Sequence, residues 1–426
     1  GQLLTGFRLK TVQAAVRGTA EVPGSKSETN RALVLSALAE APSTVSGVLD
    51  SRDCALMMDA LRGLGVTIDT PSAGTLRIQP PVGFRGVPDG IDCGLAGTVM
   101  RFAPPLAALA DAPTRFFGDA QATKRPMLGL LDGLRQLGAE IDANSLPFTL
   151  SPRPFKDDAE VVVDSSASSQ FISGMLMIGA RLPSGLLLRH TGMSVPSRPH
   201  IAMTIDMLRA RGVHVDEPDS SSWRIHPGSI RALDLRIEPD LTNAAAFLAA
   251  GAVTGGTVTV PGWPSSSLQP GAQFLNVAER MGCAIVRHDD EVTVTGPSRL
   301  QGVDVDLHGA SELTPVVTAL AAVAEGNTRI RGVAHIRGHE TDRLAALTVE
   351  LEKLGVAVTE HHDGLEITGG LGFQGPVELT AHADHRMAHF AAIVALVRPE
   401  TSIDDISCVS KTMPDFPQRW EQLVSL

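Results

Sequence analysis

The sequence has no apolar run of the roughly eighteen residues that a membrane-spanning helix requires. Its candidates, GMLMIGA (174–180) and AAIVALV (391–397), are core-sized. It is also short of cysteine: Cys54, Cys93, Cys283 and Cys408 stand far apart, with no metal-binding or redox spacing. The opening GQLLTGFRLK carries no signal-peptide pattern. These absences point to a reduced, cytoplasmic protein with no metal centre. Positive charge is scarce as well, with 36 Lys and Arg against 47 Asp and Glu and a net charge of −11. Nucleic acid and anionic membrane are therefore poor partners. The Walker pattern of nucleotide-binding loops is missing too. VPGSKSETNR (22–31) gathers Gly24, Ser25, Lys26, Ser27, Thr29 and Arg31 before an apolar run. Yet Ser25 separates Gly24 from Lys26, and no glycine stands at the required upstream position. The stretch reads as a phosphate cradle on a helix N-terminus, built for an anion other than a nucleotide.

What is present is a packed core and a repeat. The chain has 426 residues, 43% of them hydrophobic, enough for two or three domains. One phrase recurs: LRGLGVTID (61–69), LRQLGAEID (134–142), LRARGVHVD (208–216), AERMGCAIV (278–286) and LEKLGVAVT (351–359). Each predicts the end of an amphipathic helix, a capping glycine, and then an alternating strand. The glycines, Gly65, Gly138, Gly212, Gly282 and Gly355, lie 73, 74, 70 and 73 residues apart. A sixth unit is expected to end near RWEQLVSL (419–426). About 40 residues before each glycine, a polar or small cluster opens a second helix that is apolar nearly all round, so these helices should be buried. A unit reads strand–helix–strand–helix–strands, and six units make two domains of three.

The unusual polar residues fall at the predicted helix starts. The first helices supply Lys26, Ser27 and Arg31; Gly97, Thr98 and Arg101; Ser168, Ser169 and Gln170; Asp240 and Asn243; Glu312; and Asp384, His385 and Arg386. The second helices supply Arg52 and Asp53; Arg125; Ser197 and Arg198; Gln269; His339, Glu340, Asp342 and Arg343; and Lys411. Helix N-termini carry unpaired N–H groups and partial positive charge. Arginine forks bind carboxylate or phosphate, and lysine acts as a point charge. The pattern therefore suggests substrates bearing several negative charges. Taken singly, each residue has a plainer reading as a solvated face, a structural ion pair or an ordinary cap. Their coincidence with the repeat phase favours a site.

These motifs resemble those of the 5-enolpyruvylshikimate-3-phosphate synthase family of enolpyruvyl transferases over nearly the whole chain. PGSKSETNRAL, LAGTVMRF, KRPM, SSQF, HETDRL, ADHRMA and KTMPDFP fall in the family's order and spacing. The resemblance implies an α/β fold of two inverse domains, each of three βαβαββ units, joined by a two-stranded hinge. It places residues 24–239 in one domain and residues 1–23 with 240–426 in the other, with crossings near 23–24 and 239–240 and closure about them as a gate. It implies transfer of the enolpyruvyl group of phosphoenolpyruvate to the 5-hydroxyl of shikimate 3-phosphate, with loss of phosphate, on the route to chorismate and aromatic amino acids. No cofactor is implied, and the partners are these two small molecules, bound by a monomer.

By motif match, Lys26, Ser27, Arg31, Ser168, Ser169, Gln170, Ser197, Glu312 and His339 are expected on shikimate 3-phosphate. Lys26, Gly97, Thr98, Arg125, Gln170, Arg343, Arg386 and Lys411 are expected on phosphoenolpyruvate. The chemistry needs an acid for the methylene carbon and a base for the hydroxyl. Glu312 is the candidate base, and Glu340, Lys26 and His385 are candidate acids. Leu95, His200, Glu312 and His339 depart from the common Asn, Tyr, Asp and Lys of the family. Gly97 implies sensitivity to glyphosate, which in this family occupies the phosphoenolpyruvate site. Two alternatives stand beside this reading. One is the sister family acting on UDP-N-acetylglucosamine, against which GDAQATKRPM (118–127) lacks that family's cysteine. The other is a non-catalytic anion-binding scaffold of the same fold.

Overall fold

The five repeat glycines all adopt positive φ: 106° at Gly65, 119° at Gly138, 82° at Gly212, 107° at Gly282 and 71° at Gly355. Each follows a helix and turns the chain into a strand. A side chain at such a position would crowd its own carbonyl, which is why the repeat keeps glycine there. A computed structural model describes residues 6–157, 160–192, 195, 198–339, 341–372, 375–411 and 413–425. The chain divides into two compact units, one of residues 24–237 and one of residues 1–23 with 238–426.

Among its described residues, the unit of residues 24–237 holds six α-helices: α1 (Lys26–Leu38), α2 (Arg52–Gly63), α3 (Gly97–Ala107), α4 (Leu128–Leu137), α5 (Gln170–Ile178) and α6 (Arg198–Ala210). It also holds three four-stranded sheets with one pattern, a parallel pair continued by an antiparallel hairpin. In the second sheet, Ile91–Asp92 runs parallel to Thr114–Phe117, which pairs antiparallel with Phe148–Ser151 and then Glu140–Ile141. The third repeats this with Glu160–Asp164, Leu186–Thr191, Ser222–Ile225 and Val215–Asp219. The first takes its parallel strand from the far end of the unit: Leu235–Arg236 pairs with Ser43–Ser46. The three repeats therefore close on themselves.

The other unit holds α7 (Leu241–Thr254), α8 (Phe274–Arg280), α9 (Thr314–Val323), α10 (Arg343–Lys353), α11 (His385–Ala395) and α12 (Phe416–Val424). Its first sheet borrows Arg17–Thr19, parallel to Thr257–Pro261, and its second is built from Asp304–Asp306, Asn327–Arg331, Gly364–Thr368 and Ala357–His361. Its third has three strands among the described residues: Val377–Leu379 runs parallel to Thr401–Ile403, and Phe7–Arg8 pairs antiparallel with the latter. A strand from the other end of the chain thus stands where a hairpin strand stands in the other sheets.

Each unit has its own hydrophobic core. The first helices of the repeats lie deepest. All eleven residues of α3 and all eleven of α11 are buried. Such helices cannot hide charged side chains on an outer face, and those they carry, such as Lys26, Arg101 and Arg386, stand in the first two turns. Among the described residues, five helices open on a side-chain cap, from Ser25, Ser51, Asp240, Asp342 and Asp384. The N-cap residues of α3 and α5, Ala96 and Ser169, make no side-chain cap bond. No helix among the described residues is long and apolar enough to cross a membrane.

Candidate active site

The predicted site residues form one cluster in each unit. In the unit of residues 24–237, Ser25 caps α1 by accepting from Glu28 N at 3.1 Å. Lys26 Nζ then lies 2.9 Å from Asp53 Oδ2, both side chains partly exposed at 30% and 23%. Arg31, one turn further in, is fully buried. Its Nε donates to Thr204 Oγ1 at 2.6 Å, Nη1 to Ser27 O at 3.0 Å and Nη2 to Ser173 Oγ at 3.1 Å. The guanidinium also stacks on Phe102, 5.0 Å from the ring centroid. All these partners are neutral, and burial pushes the Arg31 pKa down to about 9.

The start of α3 builds the second part of this cluster. The glycine at 97 lets two side chains in: a Cβ there would meet Arg125 Nη2 at 2.9 Å and Gln170 Oε1 at 3.1 Å. Arg125 Nη1 is steadied by Leu95 O at 2.8 Å. Arg101 Nη1 donates to Gln170 Oε1 at 2.7 Å, and its Nη2 to Pro126 O at 2.8 Å. Burial, then the charge of Arg125, push Arg101 down to about 10. Thr98 Oγ1 accepts from Asn30 Nδ2 at 2.5 Å, tying α3 to α1. Ser168 Oγ accepts from Gln170 N at 3.1 Å, and Ser169 is buried beside it. His200 is pushed down to about 4 by burial, then by the charges of Arg31 and Lys26, so its ring is neutral at neutral pH. An anion meeting this cluster finds an uncapped helix end, a guanidinium and an amide, with an ammonium at the start of α1.

In the other unit the arginines are already matched. Arg343 at the start of α10 is fully buried, with Nε 2.7 Å and Nη2 3.1 Å from the two oxygens of Asp384. Its Nη1 reaches Glu312 Oε1 at 2.9 Å and His339 Nδ1 at 3.1 Å. Arg386 in the first turn of α11 donates from Nε to Glu312 Oε2 at 3.2 Å and from Nη1 to Asn243 Oδ1 at 2.7 Å. Asp384 caps α11 through Arg386 N at 2.9 Å. Two arginines at helix N-termini oppose the helix dipoles. The paired carboxylates of Asp384 and Glu312 offset that cost. Burial is the largest influence on Glu312 and acts to raise its pKa, but the His339 hydrogen bond and the Arg386 and Arg343 charges outweigh it. The carboxyl is held well below the usual range. His385 is buried, and burial followed by the Arg386 charge holds its pKa far below the ordinary value. That ring is neutral, and Nδ1 has no hydrogen-bond partner.

The structure therefore gathers Lys26, Ser27, Arg31, Gly97, Thr98, Arg125, Ser168, Ser169 and Gln170 in one unit, and Glu312, His339, Arg343, His385 and Arg386 in the other. Ser197, Glu340 and the Lys411 side chain lie outside the described residues. Sequence reasoning gave no role to the residues that hold these groups in place: Arg101 and Asp53 in one cluster, Asp384 and Asn243 in the other. Each stands at a predicted helix start, which was the available signal.

The sequence model of the family described as EPSP synthase (3-phosphoshikimate 1-carboxyvinyltransferase) matches residues 10–420. A curated relative, the 3-phosphoshikimate 1-carboxyvinyltransferase of Mycobacterium ulcerans (strain Agy99), is 49% identical over 418 residues, covering 96% of this chain and 95% of the relative. Among solved structures, an EPSP synthase from Acinetobacter baumannii superposes with a TM-score of 0.83 at 24% identity, over 98% of each chain. The enolpyruvyl transferase NikO from Streptomyces tendae does so at 0.73 and 19%, again over 98% of each. At those identities the structures speak for the fold: two inverse α/β domains of repeated units. The model match and the close relative go further, and by them the chain belongs to the EPSP synthase family.

Proposed function

We propose that this chain transfers the enolpyruvyl group of phosphoenolpyruvate to the 5-hydroxyl of shikimate 3-phosphate and releases phosphate. Arg343 and Arg386, both held by Glu312, are the observation that carries the assignment. In the free protein Glu312 serves as an internal anion on two arginines. The carboxylate of phosphoenolpyruvate competes for the same guanidinium groups. Once it takes them, Glu312 loses the charges that depress its pKa and becomes a better base for the 5-hydroxyl proton. Substrate binding would thus switch on the base.

The remaining roles follow from the other cluster. Lys26 and Ser27, with Ser168, Ser169 and Gln170, bind shikimate 3-phosphate. Gly97, Thr98, Arg125 and Gln170 hold phosphoenolpyruvate, with Arg101 keeping the Gln170 amide in orientation. Arg31 lies beneath this surface and acts by bracing Ser27, Ser173 and Thr204. The addition step protonates the methylene carbon as the 5-hydroxyl oxygen attacks C2, giving a ketal that keeps both phosphates. Elimination returns the proton and expels phosphate. For the acid we favour Lys26 over His385, whose buried, neutral ring is a poor proton source. Against the sister reaction on UDP-N-acetylglucosamine, GDAQATKRPM (118–127) carries no cysteine, and Cys93 is buried, with its thiol pushed up to about 12 by that burial.

The test is phosphate release from phosphoenolpyruvate with shikimate 3-phosphate or UDP-N-acetylglucosamine as acceptor, run beside Lys26→Ala. We expect release with shikimate 3-phosphate only, and a loss of about a hundredfold in the variant, or about 2.7 kcal/mol of transition-state stabilisation. Release with the UDP-sugar would overturn the assignment, and folded protein inactive with both would leave an anion-binding scaffold.

A further inference from the structure

In the unit of residues 24–237, the outer hairpin of the sheet formed by Glu160–Asp164, Leu186–Thr191, Ser222–Ile225 and Val215–Asp219 carries three donors that this chemistry does not use. His226 N donates to His214 O at 3.0 Å, which sets the two histidines opposite each other at the end of the ribbon. Val215 pairs with Ile225 next to them, and both are buried. Side chains alternate along a strand, so His214, Asp216 and His226 share the other face. Their rings stack with centroids 4.0 Å apart and planes 14° from parallel. Each ring presents Nε2 to the same carboxylate: His214 at 3.1 Å from Asp216 Oδ1, and His226 at 2.7 Å from Oδ2. One donor atom from each residue lies within 4.8 Å of the others, and no other such group of three occurs among the described residues.

We propose that His214, Asp216 and His226 form a surface site for a divalent transition-metal ion of the Zn²⁺, Ni²⁺ or Cu²⁺ class. Bonds of about 2.0 Å in a tetrahedral site place neighbouring donors about 3.3 Å apart. The two Nε2–oxygen separations are close to that, and rotation of the exposed, stacked rings out of parallel lets both Nε2 lone pairs converge on one ion. Two imidazoles with one carboxylate suit these borderline ions, whereas Mg²⁺ and Ca²⁺ prefer all-oxygen sets. The side chains are 67%, 50% and 33% exposed for His214, Asp216 and His226, which leaves the remaining coordination positions to water. Arg224, paired across from Asp216 on the same face, opposes a cation and limits the affinity. A bound ion would link the two strands of the hairpin and stabilise that edge of the unit.

The experiment uses the full chain without a histidine tag, stripped of metal with a chelator. Zn²⁺ is titrated by calorimetry and Co²⁺ by visible absorption, alongside Asp216→Asn and the double variant His214→Ala/His226→Ala. We expect one ion per chain with a Kd on the order of 10 µM, and a rise in thermal midpoint with Zn²⁺ but not Mg²⁺. The double variant, folded by circular dichroism, should bind at least tenfold more weakly and lose the rise. Turnover should not change. Absence of saturable binding would overturn the proposal. So would binding undiminished in the double variant, which would place the metal on other histidines among the 13, or an equal response to Mg²⁺.

Discussion

The two clusters handle buried arginine in opposite ways. In the unit of residues 24–237, Arg31 and Arg101 are buried against hydroxyls, carbonyls, an amide and aromatic faces. The direct partners of each are neutral, so the site keeps a surplus of positive charge and is ready for an anion. In the other unit, Arg343 and Arg386 face Asp384 and Glu312. Those charges already balance, and an anion can enter only by displacing a carboxylate. A site that must hold phosphate does best with standing positive charge. A site that must also supply a base does better with a carboxylate whose strength the substrate controls. The contrast separates the binding surface and the switch proposed above.

Removing the switch should have the largest effect. Glu312→Gln keeps the shape but abolishes both the internal anion and the base. We expect kcat to fall by roughly a hundred- to ten-thousandfold, while KM for phosphoenolpyruvate falls because the arginines are left open. Steady-state kinetics separate the two; a rise in KM with unchanged kcat would mean that Glu312 only helps binding. Crowding the standing site should be milder. The extra methyl of Gly97→Ala presses on the tips of Arg125 and Gln170, which are able to move. The protein should therefore fold, with KM for phosphoenolpyruvate raised about tenfold and glyphosate inhibition weakened more. Inhibition equal to that of the parent would remove Gly97 from the site.

The smallest effect is on stability, and it concerns histidine. His200 in one unit, and His385 and His389 in the other, are held neutral chiefly by burial. Their folded-state pKa values lie below the unfolded value of 6.5, so the unfolded chain gains protons first on acidification. Stability is then complete above about 6.5 and is lost as pH falls from there, for His200 down to about 4. His200→Asn should recover on the order of 1–2 kcal/mol at pH 5, with solvent screening allowed for, and nothing at pH 7.5. Thermal unfolding at both pH values measures this. Equal gains at both would point to packing rather than protonation.

Much of this was legible in the chain. The glycine phrase marked the helix ends because a left-handed residue at that point admits little else. The polar clusters marked the helix starts, since N-terminal amides need partners. Charge alone could not tell Arg31, which lies beneath the site, from Arg125, which faces it. Nor could the spacing show that Glu312 lies between Arg343 and Arg386. Asp384 was marked only as a residue at a helix start, not as the carboxylate that accepts from the side chain of Arg343 and the backbone N–H of Arg386.

The division follows the range of the forces. Caps, turns and the alternation of strands act between residues a few positions apart, so the sequence by itself determined the repeating unit, its helix boundaries and the places where charge could collect. Pairing Leu235–Arg236 with Ser43–Ser46, or Phe7–Arg8 with Thr401–Ile403, joins segments that no local pattern relates. The same holds for the contact of Arg386 with Asn243, 143 residues away. Only the tertiary structure decided those neighbours, and with them which arginine is buried among neutral groups, which is matched by a carboxylate, and which carboxyl lies between two arginines.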